Sequence, residues 1–422
     1  MQSNENAVVV YPCGRLSGEI RLQGAKNSVL PIMAASLLNR GTSVLHNCPE
    51  IADVYIMAEL LKICGCRVSF ENHTMTIDAA DADNGVLSGE YGTKMRASVI
   101  LMGSCLGRFG RFVMPPPGGC AIGKRPVDFH VDAMRRLGAE VINEDGGIDA
   151  RVKKGGLSGC EIRLPFPSVG ATQNILLASV CANGKTRILN ASREPEIWDL
   201  CDFLELLGAQ IDGRRTGTIT VSGFAECTRD VEYTVPADRI VAGTILTAAA
   251  GCTGNVYIPN IECDRIGSVI KHLGARASSD GIGVIINTDR RKELECVIST
   301  GPFPEFPTDM QSIFLSLMAV SGSFCIMEEN VFDTRFAAAY ELNRLGADIR
   351  TEGKLAYVYG RRRLHGGEVT AGDLRGGAAL VLAGLFADEP VTVKGCSYIR
   401  RGYENLPGDL RSLGAKIVEC NE

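Results

Sequence analysis

The sequence predicts an α/β fold of six repeats of about 70 residues, arranged three per lobe in two lobes around buried helices. Three observations carry that reading. A helix-ending phrase recurs as Leu61-Lys62-Ile63-Cys64-Gly65-Cys66, Arg135-Arg136-Leu137-Gly138-Ala139, Glu205-Leu206-Leu207-Gly208-Ala209, Lys271-His272-Leu273-Gly274-Ala275, Asn343-Arg344-Leu345-Gly346-Ala347 and Arg411-Ser412-Leu413-Gly414-Ala415. Its glycines fall 66 to 73 residues apart, so six units fill the 422-residue chain. Upstream of each phrase lies an Ala-rich run that is apolar nearly all round, as a fully buried helix must be.

Within each unit the elements follow one order. The apolar runs Ile32–Leu38, Val99–Leu106, Ile175–Ala182, Ile245–Ala250, Ile313–Val320 and Ala378–Phe386 come first. A glycine-containing turn then leads into a β-rich segment such as Val44-Leu45 or Val391-Thr392-Val393. An amphipathic helix follows and ends at the phrase's glycine, which adopts a left-handed C-cap without steric cost. Alternating segments such as Ala139-Glu140-Val141-Ile142 and Ala415-Lys416-Ile417-Val418 close the unit as strands. No compositional shift marks a linker, so the boundary between the lobes comes from the repeat count alone.

Hydrophobic residues make up 45% of the chain and charged residues 22%, an ordinary globular balance. The formal charge of −5 argues against nucleic acid or an anionic membrane as the main partner. No apolar run reaches the ~18 residues of a membrane helix. Met1–Asn6 is polar, so no signal peptide and a cytoplasmic protein are expected. The 16 cysteines are scattered without a Cys-x-x-Cys, and the five histidines are scattered too, so no metal site is expected. Most cysteines lie in apolar runs such as Ser179-Val180-Cys181-Ala182, which predicts buried thiols.

Equivalent positions across the repeats carry the chemistry. Lys26, Arg96, Ser168, Arg239, Asp309 and Asp373 (with Arg375) stand just ahead of the six apolar runs, 35 to 42 residues before each unit's glycine. Serine, threonine or aspartate there is explained as an N-cap worth about 1 kcal/mol. Lysine and arginine at a helix start oppose the dipole, so they imply an anion nearby. A second recurrent charged place follows each buried helix, and includes Asp53, Arg193-Glu194-Pro195-Glu196, Asp264-Arg265 and Arg400-Arg401-Gly402-Tyr403-Glu404. Neither a Walker A loop nor a G-x-G-x-x-G opening a helix is present. The second unit's version of that place is Pro115-Pro116-Pro117-Gly118-Gly119-Cys120-Ala121-Ile122-Gly123-Lys124-Arg125-Pro126-Val127-Asp128-Phe129-His130. Its prolines and glycines predict a loop, and its thiol, guanidinium and imidazole mark the loop as functional.

With Gly24-Ala25-Lys26-Asn27-Ser28, Met95-Arg96-Ala97-Ser98, Ser168-Val169-Gly170-Ala171-Thr172, Phe306-Pro307-Thr308-Asp309-Met310-Gln311, Asp373-Leu374-Arg375 and Arg401-Gly402-Tyr403-Glu404, this loop makes the whole chain resemble the UDP-N-acetylglucosamine 1-carboxyvinyltransferase family. The resemblance implies two inside-out α/β lobes, residues 25–234 forming one and residues 1–24 with 235–422 the other. It implies transfer of the enolpyruvyl group of phosphoenolpyruvate to the 3′-hydroxyl of UDP-N-acetylglucosamine, with release of phosphate, as the opening step of peptidoglycan synthesis. It implies small-molecule substrates and no metal or organic cofactor.

By matching position, Lys26, Asn27, Cys120, Arg125 and Arg401 would bind phosphoenolpyruvate. Arg96, Arg125, Pro126, Val127, Asp128, Phe129, Ser168, Val169, Gly170, Asp309 and Val331 would hold the nucleotide sugar, and Arg335, Asp373, Arg375 and His130 would be further active-site groups. The chemistry needs an acid for the methylene carbon and a base for the sugar hydroxyl on opposite sides of the reacting carbon. Cys120 suits the acid, with Lys124 and Arg125 near enough in sequence to tune its thiol, and Asp309 suits the base. In the resembling family the cysteine also forms a covalent pyruvyl adduct and is alkylated by fosfomycin. Pro115–Ile122 then reads as a lid over a cleft between the lobes.

Two departures stand out: Phe166, where some members carry a lysine, implies apolar contact with uridine, and Arg400 adds charge beside Arg401. A 5-enolpyruvylshikimate-3-phosphate synthase and a non-catalytic nucleotide-sugar-binding regulator are the alternatives. A cysteine hydrolase finds no His–Asn or His–Asp pair in the sequence to serve it.

Overall fold

The computed structural model of the chain describes residues 7–87, 96–116, 127–144, 147–224, 226–279, 281, 283–289, 294, 296–332 and 335–420. The contacts divide it into two compact units, one from Gly24–Cys120 and Arg125–Pro236, the other from Met1–Gln23 and Ala237–Glu422. Each has its own hydrophobic core.

The repeat is visible as one sheet pattern used six times. In its plainest copy Lys185–Leu189 pairs parallel with Glu161–Arg163 and antiparallel with Thr218–Ser222, which pairs with Gln210–Asp212. Phe324–Glu328 repeats this with Cys296–Ser299, Leu355–Tyr359 and Ile349–Glu352. Elsewhere a distant strand fills a missing place. Val231–Thr234 lies parallel to Thr42–His46, Leu16–Glu19 lies parallel to Gly254–Ile258, and Ala7–Val10 lies between Val391–Lys394 and Ile417–Cys420. Among the described residues, the copy around Arg111–Met114 has a single parallel bridge, Val86 to Val113, where the others have an edge strand.

Each of the six apolar runs falls mainly in a helix, Lys26–Ser36, Leu101–Phe109, Val169–Ser179, Arg239–Cys252, Gln311–Ala319 or Leu374–Phe386. The runs from Ile32, Ile175 and Ile313 extend one to three residues past the helix end, and the second run begins in the 3₁₀ turn Arg96–Ile100. The helices are buried on nearly every face, so each Val, Leu, Ile, Phe or Met side chain contributes roughly 1.5–3 kcal/mol of burial. Small residues set how close they pack. A Cβ at Gly103 would meet the Asn174 carbonyl oxygen at 2.4 Å, so only glycine lets the second and third buried helices touch there.

The six phrase glycines have φ between 63° and 110°. After Gly65, Gly208, Gly346 and Gly414 the bonds are those of a Schellman cap: Gly65 N–H donates to Lys62 O and Cys66 N–H to Leu61 O, for instance. Of the thiols, Cys48, Cys64, Cys66, Cys105, Cys201, Cys227, Cys252, Cys325 and Cys396 are buried, whereas Cys181 is only half-buried. Its helix has ended by then, and the chain is already turning out of the core.

Candidate active site

All six equivalent positions open a buried helix. Lys26 and Arg239 are first helical residues, Ser168 and Asp373 are N-caps, and Arg96 and Asp309 lie in single 3₁₀ turns that run into helices. The cap explanation accounts for two of them. Ser168 Oγ accepts from Ala171 N–H at 3.3 Å, and Asp373 Oδ1 accepts from Arg375 N–H and Gly376 N–H, both at 2.9 Å. Arg239 follows its own cap, Asp238.

In the unit from Gly24 to Pro236, the helix of Lys26 has no side-chain cap from Ala25. Lys26 Nζ instead lies 2.7 Å from Asp53 Oδ2, a carboxylate in the first turn of helix Ala52–Ile63. Both are largely buried, so Asp53 fixes the direction of the ammonium. Gly24 has to be glycine, because a Cβ there would meet the Asn47 carbonyl oxygen at 1.9 Å. Next along, the Ser28 hydroxyl donates to Asp199 Oδ2 at 2.6 Å, which ties this helix to Pro195–Leu206. Asn27 is half-buried beside Lys26.

Val127 caps helix Asp128–Arg136; Asp128 is exposed, Phe129 packs partly on the core and His130 is buried. His130 Nδ1 lies 2.7 Å from Asn174 Nδ2. Gly103 N–H donates to Asn174 Oδ1 at 2.7 Å, which fixes the amide and makes Nδ2 the donor to both Val99 O and the imidazole. An imidazole that accepts at Nδ1 carries its proton on Nε2. The structure thus holds a His–Asn pair that the sequence reading did not find. It has the wrong polarity for a cysteine hydrolase, since the amide oxygen is already occupied. Val169 and Gly170 start the third buried helix, and a Cβ on Gly170 would stand 3.1 Å from His130 Cε1. Phe166 is exposed.

In the unit from Ala237, Asp309 is the centre of an ionic array. Its Oδ1 lies 2.7 Å from Arg335 Nη2 and its Oδ2 3.2 Å from Arg375 Nη2. Arg335 also donates to Thr308 Oγ1 at 2.8 Å. The Thr308 hydroxyl donates in turn to Glu329 Oε2 at 2.8 Å. Glu329 is buried and takes three more bonds on Oε1, from the Thr300 hydroxyl and from the N–H groups of Val331 and Phe332. Val331 therefore serves the array through its backbone.

Arg375 is 2% exposed and lies over the Tyr403 ring at 5.3 Å, and Tyr403 Oη is 2.8 Å from Thr244 Oγ1. Burial alone would lower the hold of this guanidinium on its proton. The Tyr403 phenol, Asp309 and Asp238 outweigh it and keep Arg375 above the ordinary arginine range. Arg401 is half-buried in the turn after Cys396–Ile399. Gln23 braces that turn, donating to Gly402 O at 3.1 Å and accepting from Glu404 N–H at 2.8 Å. Arg400 points elsewhere, with Glu419 3.8 Å away.

Cys120, Lys124, Arg125, Pro126 and the lid reading of Pro115–Ile122 from Pro117 onward lie outside the described residues, as does the side chain of Arg96. Glu329, Gln23 and Asn174 escaped the sequence reading. Only the six-fold comparison of helix starts could have pointed near them, and none stands at one of those positions.

A family model described as EPSP synthase (3-phosphoshikimate 1-carboxyvinyltransferase) matches residues 10–410. The chain belongs to this family. It is 42% identical over 407 residues to UDP-N-acetylglucosamine 1-carboxyvinyltransferase 2 of Caldanaerobacter subterraneus subsp. tengcongensis, covering 96% of this chain and 97% of that protein. It is also 42% identical over 414 residues to UDP-N-acetylglucosamine 1-carboxyvinyltransferase of Wolbachia pipientis, covering 95% and 96%. Among solved structures, the enolpyruvyl transferase NikO from Streptomyces tendae matches with a TM-score of 0.87 at 24% identity, over 99% of this chain and 100% of that one. EPSP synthase from Acinetobacter baumannii matches with a TM-score of 0.73 at 18% identity, over 98% and 100%. These two likenesses concern the fold alone.

Proposed function

We propose that the protein transfers the enolpyruvyl group of phosphoenolpyruvate to the 3′-hydroxyl of UDP-N-acetylglucosamine and releases phosphate, the first step of peptidoglycan synthesis in the cytoplasm. The observation that carries this reading is the 42% identity, across almost the full length, to proteins named for that reaction. Asp309 accepts the hydroxyl proton as the sugar oxygen attacks carbon 2 of phosphoenolpyruvate, and Cys120 delivers a proton to carbon 3. Elimination reverses the traffic: a proton leaves carbon 3, the C–O bond to phosphate breaks and the enol ether forms. Lys26, Arg125 and Arg401 offset the phosphate and carboxylate charge. Arg335 and Arg375 hold the Asp309 carboxylate in place, and Asn27, Arg96, Ser168, Val169 and Gly170 belong to the substrate-binding set.

The test is phosphate release from phosphoenolpyruvate with each acceptor in turn. Release is expected with UDP-N-acetylglucosamine and not with shikimate 3-phosphate. The reverse preference would replace this reading with the shikimate enzyme, and binding of the nucleotide sugar without turnover would replace it with a regulator.

A further inference from the structure

In the unit from Ala237, the C-terminal ends of the three buried helices meet at a cavity of about 580 Å³. None of the residues assigned a role above lines it. Cys13, Cys252, Arg362 and Arg363 do. Cys252 is the last residue of helix Arg239–Cys252 and is buried, whereas Cys13 is half-buried on the segment entering strand Leu16–Glu19. Hydrogen bonds hold the two segments and the end of helix Leu374–Phe386 side by side. Leu16 N–H donates to Thr253 O at 2.9 Å, the Thr253 hydroxyl donates to Gly14 O at 2.9 Å, and Cys13 N–H donates to Leu385 O at 2.9 Å. No side chain larger than hydrogen fits at Gly254, where a Cβ would stand 1.7 Å from Leu16 O. Cys13 and Cys252 line the same cavity as a result, with the Cys13 thiol donating to Arg15 O at 3.3 Å.

We propose that Cys13 and Cys252 form a redox-active dithiol, a modification site that peroxides or low-molecular-weight disulfides convert to an intramolecular disulfide. Cys13 faces the cavity as the attacking thiol, and buried Cys252 resolves. With a peroxide, the Cys13 thiolate attacks one oxygen, the O–O bond breaks and hydroxide leaves, giving a sulfenic acid. The Cys252 sulfur then attacks Cys13, the S–O bond breaks, and the second hydroxide leaves with the Cys252 proton as water. Two thiols lose two electrons and the peroxide becomes two waters. With a small disulfide, two exchange steps release two small thiols instead. The hydrogen bond from Cys252, opposed by partial burial, brings the Cys13 thiol down to about 7, whereas burial pushes Cys48, Cys66 and Cys201 up to about 12. Arg362 and Arg363 on the wall favour an anionic oxidant.

The experiment treats the full-length folded protein with hydrogen peroxide or with oxidised glutathione, blocks the remaining thiols and maps unreduced peptides. The expected product joins Cys13 to Cys252 with loss of two hydrogens, several-fold faster than oxidation of exposed Cys263. Linkage with either oxidant sustains the site, and the faster arm identifies the class of oxidant. Cys252→Ser should stop Cys13 at a dimedone-trappable sulfenic acid or at a glutathione mixed disulfide. Oxidation of Cys263 while Cys13 and Cys252 stay reduced would overturn the proposal, and so would Cys13 oxidation in the unsubstituted chain that never reaches Cys252. Readout is residue by residue, so reaction at Cys120 is counted separately.

Discussion

Lys26 and Asp309 stand at the same place of the repeat, each opening a buried helix, yet their surroundings are built differently. Lys26 is ion-paired to Asp53, both side chains being largely buried. Asp309 is gripped on both oxygens by guanidiniums, one of which is braced through Thr308 on the buried Glu329. The Asp53 carboxylate orients the Lys26 ammonium at the start of its helix. A carboxylate bound on two sides is fixed in position before any substrate comes. The same fold position therefore carries a carboxylate-paired cation in one unit and an arginine-paired anion in the other.

The largest test of that contrast is Asp309→Asn. It keeps the shape and one acceptor for the arginines but removes the proposed base, so kcat should fall on the order of a thousandfold while KM for UDP-N-acetylglucosamine moves only a few-fold. A kcat within tenfold of the unsubstituted enzyme would show that Asp309 only organises the array.

Glu329→Ala asks whether the rigidity comes from below. It would strand two hydroxyls and two N–H groups that now share one buried carboxylate. Hydrogen bonds to a charged group are worth roughly 1.5–3 kcal/mol each, and some are replaced by water, so a net loss of about 3 kcal/mol is expected in denaturant unfolding. Unchanged stability would mean that Asp309 needs no support from Glu329. Asp53→Asn should do less to folding and more to binding, raising KM for phosphoenolpyruvate about tenfold with kcat little changed, because Lys26 loses its direction and keeps its charge.

The repeat reading reached the helix starts because covalent order fixes them: Gly65, Gly138, Gly208, Gly274, Gly346 and Gly414 all take the left-handed conformation that the phrase demands. The resemblance named Asp309, Arg335 and Arg375, which the structure brings into one ionic array. Local rules fail where a partner comes from another element. Asp53 was visible as a recurrent charge, but its pairing with Lys26 depends on how two helices pack. Gln23 and Asn174 act on groups 44 to 381 residues away, and Glu329 joins its neighbours' N–H groups to hydroxyls 21 and 29 residues back, links that nothing in the neighbouring side chains announces. The borrowed strands Val231–Thr234, Leu16–Glu19 and Ala7–Val10 were illegible for the same reason.

The smallest expected effect contrasts two aspartates of one unit. Asp309 has two guanidiniums, whereas burial, reinforced by Glu404, raises Asp409 from its usual 3.8 to about 6. An acid whose folded pKa is raised destabilises the fold wherever it is ionised in both states. The penalty is absent below about pH 4, grows as pH rises through 6 and is full above that. Asp409→Asn removes the charge and should stabilise the protein by about 1 kcal/mol at pH 7.5, allowing for the partial exposure of the group. Its advantage over the unsubstituted protein in chemical denaturation should disappear on acidification to about pH 4. An advantage that persists at low pH would mean that packing around the amide, and not the charge, is responsible.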